Sequence, residues 1–68
     1  MFKCGDRVIV KSEHGAYSSQ VGTCLGETYK ARYETMVMVQ FNLNGYYYST
    51  WIQLKDLYGF VVLCAGIL

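Results

Sequence analysis

Three cysteines and one histidine, Cys4, Cys24, Cys64 and His14, are the residues of this chain best suited to metal binding or nucleophilic chemistry. Their number equals a zinc ligand set, but their spacing does not fit one. Structural zinc sites pair ligands on a short knuckle such as Cys-x₂-Cys, and here no two of the four lie within nine residues of each other. A thiolate nucleophile needs a base, an orienting group and oxyanion donors gathered in a cleft. One histidine in a serine-rich loop, with no helix N-terminus nearby in sequence, does not assemble that set. Cys24 and Cys64 read instead as small apolar fillers of strands. The glycines form neither Gly-x-x-x-x-Gly-Lys-Ser/Thr nor Gly-x-Gly-x-x-Gly, so no phosphate cradle is expected. The expectation is a protein without catalytic residues, metal or cofactor.

The other chemistry on offer is contact. Seven tyrosines, three methionines and one tryptophan occur in a chain that is 53% hydrophobic and only 16% charged. A body of 68 residues has too much surface to hide that much apolar material. Exposed tyrosine and methionine suit interfaces, where tyrosine offers a large area and a polar handle. Tyr46, Tyr47 and Tyr48 are consecutive, so in a strand Tyr46 and Tyr48 share one face and Tyr47 takes the other. Whichever face is outward carries an aromatic ring, with Met36 or Met38 of the preceding strand beside it. Tyr46, Tyr47, Tyr48, Met38, Tyr33 and Trp51 are therefore the expected protein-binding residues, and Tyr17 and Tyr29 extend the set. The competing reading is that these rings cap the ends of a small barrel, and that Trp51 fills its core.

Charge points weakly to nucleic acid. Six basic and five acidic residues are scattered singly, for a net charge of +1. Counterion release, which supplies most phosphate-driven affinity, needs clustered cations. Lys30 and Arg32 with Arg7 and Lys11 form the alternative nucleic-acid set, with Tyr29 as a stacking ring to compensate for few cations.

The elements that must position these groups are short strands. Arg7 to Lys11 alternates with period two, and Ser12 to Gln20 has loop composition. Val21 to Glu27 is a second strand whose Gly22 and Gly26 mark bulges or bends. Thr28 to Glu34 is polar and tyrosine-rich, and extends that strand and its hairpin outward. Thr35 to Phe41 presents Val37, Val39 and Phe41 to the core and Met36, Met38 and Gln40 away from it. Asn44-Gly45 is a strong hairpin signal that returns the chain as Tyr46 to Ile52. Lys55 to Leu57 reads as a 3-10 turn and Tyr58 to Leu63 as the last strand. A single domain over residues 1–68 is expected, all-β and five-stranded.

These residues resemble the SH3-like small β-barrel, in its KOW and Tudor-like branch. The likeness rests on Gly5-Asp6-x-Val8-x-Val10, Val21-Gly22-Thr23, Val37-x-Val39-x-Phe41, Trp51, and Lys55-Asp56-Leu57 before a final strand. It implies a five-stranded SH3-like barrel with a short 3-10 turn before the last strand. Members of that architecture bind RNA, ribosomal or polymerase partners, peptides or neighbouring subunits. This chain departs from the RNA-binding pattern in lacking a basic surface, and from peptide-binding SH3 domains in lacking their groove proline and acidic loop.

A non-enzymatic protein-binding module follows, either a phage- or mobile-element-encoded inhibitor of a host protein or a subunit of a larger complex. The alternative is a KOW-like RNA- or DNA-binding domain. With no secretory leader visible after Met1 and an odd number of cysteines, reduced thiols and a cytoplasmic location are expected. The apolar run Phe60 to Leu68 is nine residues long, against about twenty for a membrane span. Its end, Ala65 to Leu68, either folds back over the barrel or pairs with another chain to give a homodimer.

Overall fold

The computed structural model describes residues 2–59, all of them in strands, turns and loops. β1 (Arg7–Val10), β2 (Val21–Ala31), β3 (Glu34–Leu43), β4 (Tyr46–Gln53) and β5 (Leu57–Gly59) form one antiparallel sheet in the order β4-β3-β2-β1-β5. Two 3-10 turns, Ser12–His14 and Leu54–Asp56, interrupt the loops. The expected barrel is an open sheet here: among the described residues no pairing joins β4 to β5. Of the expected last strand, the part from Phe60 onward, together with Cys64 and Ala65 to Leu68, lies outside the described residues.

Alternation decides the core. Val8, Val10, Cys24, Val37, Val39, Phe41, Ile52 and Leu57 are buried and form one cluster. Each large aliphatic or aromatic member contributes roughly 1.5–3 kcal/mol by leaving water. The valine-phenylalanine face of the third strand is the inner one, as its composition indicates. The ladder carries that face across the sheet, with Val37 opposite Ile52, Val39 opposite both Cys24 and Thr50, and Phe41 opposite Tyr48.

The turns follow local chemistry. Asn44 (φ 54°) and Gly45 (φ 89°) form the two-residue link between the paired Leu43 and Tyr46. Two central residues at positive φ are the hairpin geometry that Asn-Gly favours, and the Gly45 N–H donates to Asn42 Oδ1 at 3.0 Å. The β2–β3 link is Arg32-Tyr33, with Arg32 at φ 48° and no glycine to relieve it.

β2 is longer than Val21 to Glu27, because Thr28 to Ala31 pair with Val37 to Glu34. One irregularity interrupts it. Between Cys24 and Thr28 three residues face the single residue Met38 that separates Val39 from Val37, a wide bulge in which Gly26 adopts φ 91°. The N-terminal segment lies against this bulge: the Gly5 N–H donates to the Cys24 carbonyl and the Cys24 N–H to the Asp6 carbonyl, both at 2.8 Å. Gly22, expected to mark a second bulge, stands in regular pairing opposite Val8. It is there for close packing. A Cβ on it would lie 2.5 Å from Val39 Cγ1.

Candidate interaction surface

The same alternation that buries one face exposes another. Paired residues in antiparallel strands point to the same side. The face opposite the core therefore carries Met36, Met38 and Gln40 of β3, opposite Gln53, Trp51 and Ser49 of β4. Tyr29 of β2 joins them through its pairing with Met36. Its ring meets the Trp51 indole edge-on, at 4.6 Å between centroids and 88° between planes. Tyr47 lies further along β4 on this face, 67% exposed. No charged side chain occurs among the outward positions of β3 and β4 from Met36 to Gln40 and Tyr47 to Gln53. The result is an apolar strip two strands wide, bordered by glutamine and serine.

The six expected anchors do not share one place. Met38, Trp51 and Tyr47 lie on the outer face. Tyr48 is on the inner face and half-buried: its ring sits 5.7 Å from Phe41 and 5.9 Å from Tyr17. Tyr17 itself stacks on Phe41 at 5.2 Å and 5°. Tyr17 and Tyr48 are partly buried and pack against the core cluster. Burial, repulsion from Tyr17 and a hydrogen bond to Tyr17 hold the Tyr48 hydroxyl above its usual pKa. Tyr46 (79% exposed) and Tyr33 (93% exposed) sit at opposite hairpin tips. The nine residue steps of β3 between Glu34 and Leu43 separate those tips by about 30 Å at strand rise. Trp51 is partly exposed on the outer face, not a core filler.

The expected nucleic-acid residues are dispersed. Arg7 pairs with Thr23 and so shares the outer face with Gln40. Lys11 places its ammonium 4.8 Å from the centre of the Tyr58 ring. Lys30 pairs with Thr35 and points to the opposite side from Tyr29, while Arg32 occupies the hairpin tip. Tyr29 is committed to Trp51. Along the chain Tyr29 has basic neighbours, Lys30 and Arg32. Strand alternation separates Lys30 from it in space, and only the β2–β3 register reveals the partner it takes instead.

The residues weighed for metal and thiol chemistry do not converge either. His14 rests against Tyr17, 5.8 Å between ring centroids, in the β1–β2 loop. Cys24 is fully buried, and Cys4 is exposed beside the bulge. Burial first, then the negative charge of Asp6 and the neighbouring Cys4, pushes the Cys24 thiol up to about 11. A thiol so disposed stays protonated and inert at neutral pH. Among the described residues no group of three His, Cys, Asp or Glu side chains is placed to hold a metal ion. A shallow cavity of about 270 Å³, lined by Tyr33, Glu34, Thr35, Gln53, Leu54 and Lys55, lies near the β2–β3 hairpin tip. The Gln53 amide there donates to the Glu34 carboxylate.

No protein-family model, curated protein or solved structure matches the chain. No helix among the described residues is long and apolar enough to cross a membrane.

Proposed function

We propose that this chain is a non-enzymatic protein-binding module of the SH3-like small-barrel type, working in the cytoplasm. Its docking face is the strip formed by Tyr29, Met36, Met38 and Trp51, with Tyr47 at its end. One observation carries the reading. The Tyr29–Trp51 edge contact lies on the outward face beside methionines, where the outward positions Met36 to Gln40 and Tyr47 to Gln53 carry no charge. Aromatic and methionine side chains in an uncharged patch are the composition of an interface centre. The SH3-like assignment is supported by the sheet order β4-β3-β2-β1-β5, the long β1–β2 loop and the 3-10 turn before β5. Two roles use such a face equally well: covering the surface of a host protein to inhibit it, or fastening one subunit into an assembly.

The test is capture of partners by immobilised wild type and by Met38→Glu, with and without nuclease. Met38 is only partly buried and outward, so the substitution leaves the core intact. A nuclease-resistant protein retained by wild type and lost by Met38→Glu is the expected result. Retention of nucleic acid instead, released steeply by salt, would move the function to the KOW-like alternative.

A further inference from the structure

We propose that β4 is a pairing edge, and that its occupant is β4 of a second copy of this chain. The inference goes beyond the docking face, because it concerns backbone groups along the sheet margin, although the pairs that select its occupant include Tyr47 and Trp51 of that face. Among the described residues β4 has a strand on one side only, β3. All eight of its residues, Tyr46 to Gln53, pair with β3 without irregularity. Such an edge offers a regular row of amides and carbonyls to any extended chain. Proteins that must avoid this shorten the edge, kink it with a bulge, or place charge or proline on it. β4 has none of these protections: Tyr-Tyr-Tyr-Ser-Thr-Trp-Ile-Gln contains no charged residue and no proline. At the opposite margin, Lys55 and Asp56 place charge directly before β5.

The side-chain pattern selects a second copy. Two antiparallel β4 strands in one continuous sheet are related by a two-fold axis normal to it. The axis preserves the face of every residue, so only residues an even number of positions apart can oppose each other. With the axis at Ser49, Tyr47 faces the partner's Trp51 and Trp51 faces the partner's Tyr47. Tyr48 then meets the partner's Thr50, and Tyr46 the partner's Ile52. The smallest side chain falls on the axis, where two copies approach most closely, and aromatic pairs flank it on the outer face. Shifting the axis to Thr50 sets Trp51 against the partner's Ser49 and Tyr47 against the partner's Gln53, breaking both aromatic pairs. Shifting it to Tyr48 leaves only Tyr46 to Thr50 paired. The Ser49 register uses Tyr46 to Ile52 and sets aromatic against aromatic at both outer-face positions flanking the axis. It is also self-limiting: the two-fold consumes both β4 edges and leaves none for a third copy.

The experiment is light scattering and sedimentation of the full chain over a concentration series. Wild type is expected at twice its 7.8 kDa mass. Ser49 is exposed, so Ser49→Lys and Ser49→Glu should keep the wild-type circular dichroism. Each alone puts like charges on the axis and is expected to run as a monomer, while an equimolar mixture is expected to recover the dimer, one copy of each. A wild type that stays monomeric overturns the proposal, including the case in which residues 60–68 cover β4 in the same chain. So does a dimer indifferent to Ser49→Lys, which would place the contact elsewhere. Ser49→Cys supplies an arm free of charge. Opposed positions in an antiparallel pair lie within disulfide reach, so mild oxidation should link two copies well beyond any linkage that wild type shows. Equal linkage in both chains counts against the proposal.

Discussion

Gly22→Ala is the sharpest probe of the packing that holds the sheet together. Gly22 lies near the start of β2, paired with Val8 and without positive φ, so the change costs no turn geometry. What it costs is space. The new methyl would lie 2.5 Å from Val39 Cγ1, 3.0 Å from the Gln40 carbonyl oxygen and 3.0 Å from Phe41 Cε1. Carbon atoms rest at about 3.5–4.0 Å, so Val39 must retreat by roughly an ångström. It has nowhere to go. Val39 and Phe41 are fully buried, and Phe41 is held by the stacked Tyr17 ring. The Gln40 oxygen is backbone in a paired strand. Overpacking of this kind costs about 3 kcal/mol, comparable with the roughly 3–5 kcal/mol that one small core supplies in total. Urea denaturation followed by intrinsic fluorescence measures it, with Gly45→Ala as the reference. Gly45 has φ 89°, and a methyl added there would meet nothing within 4 Å, so its loss is conformational, roughly 1–2 kcal/mol. If Gly22→Ala proves no more costly than Gly45→Ala, the close-packing account of β2 is wrong.

Alkaline stability should fall between pH 9.0 and about 11, because the unfolded chain loses the Cys24 proton while the folded chain keeps it. The contribution is intact below the unfolded value and amounts to about 3 kcal/mol once lost; melting curves across that range, with Cys24→Ala expected to flatten the slope, test it. Tyr48→Ala is expected to lower stability by about 2 kcal/mol through loss of packing on Phe41. Tyr46→Ala, at the exposed hairpin tip, should change it by less than about 0.5 kcal/mol; equal effects in thermal unfolding would contradict the assignment of inner face and tip. Arg32→Gly should raise stability by about 1 kcal/mol, since it relieves a left-handed arginine, and a decrease in the same assay would mean that the Arg32 side chain contributes more than its backbone strain costs.

What the sequence discloses is what short range determines. Asn44-Gly45 announces its hairpin because two neighbouring residues suffice to fix positive φ. Val37, Val39 and Phe41 declare a common face because alternation is a property of one strand. The side taken by Tyr46, Tyr47 and Tyr48 is different in kind. It depends on Tyr48 falling opposite Phe41, a register between two strands, and no residue of the tyrosine run records it. The separation of Lys30 from Tyr29, and the joining of Tyr29 to Trp51 across β3, depend on the register beyond the bulge in the same way. Gly22 shows another limit. A glycine in a strand signals either a bend or a close approach, and only the position of Val39 distinguishes the two. Arg32 carries no turn signal, since its conformation is imposed by the pairing of Ala31 with Glu34.

The bulge after Cys24 also divides the molecule by rigidity. Before it, β2 lies between β1 and β3 and includes the buried Gly22 and Cys24. Beyond it, Gly26 to Lys30 are exposed, β2 pairs with β3 alone from Thr28 onward, and past Tyr29, where the β3–β4 pairing has ended, the hairpin is a two-stranded ribbon. A ribbon of that kind opens locally at a fraction of the free energy needed to unfold the core. Amide protons of Tyr29 to Ala31 should exchange well before those of Thr23 or Val39. Tyr29 therefore belongs to the soft end of the sheet and Trp51 to the firm one, and their edge contact spans the boundary. A partner seated on both would quiet the ribbon, so the tightness of its grip is set by how much motion it must still.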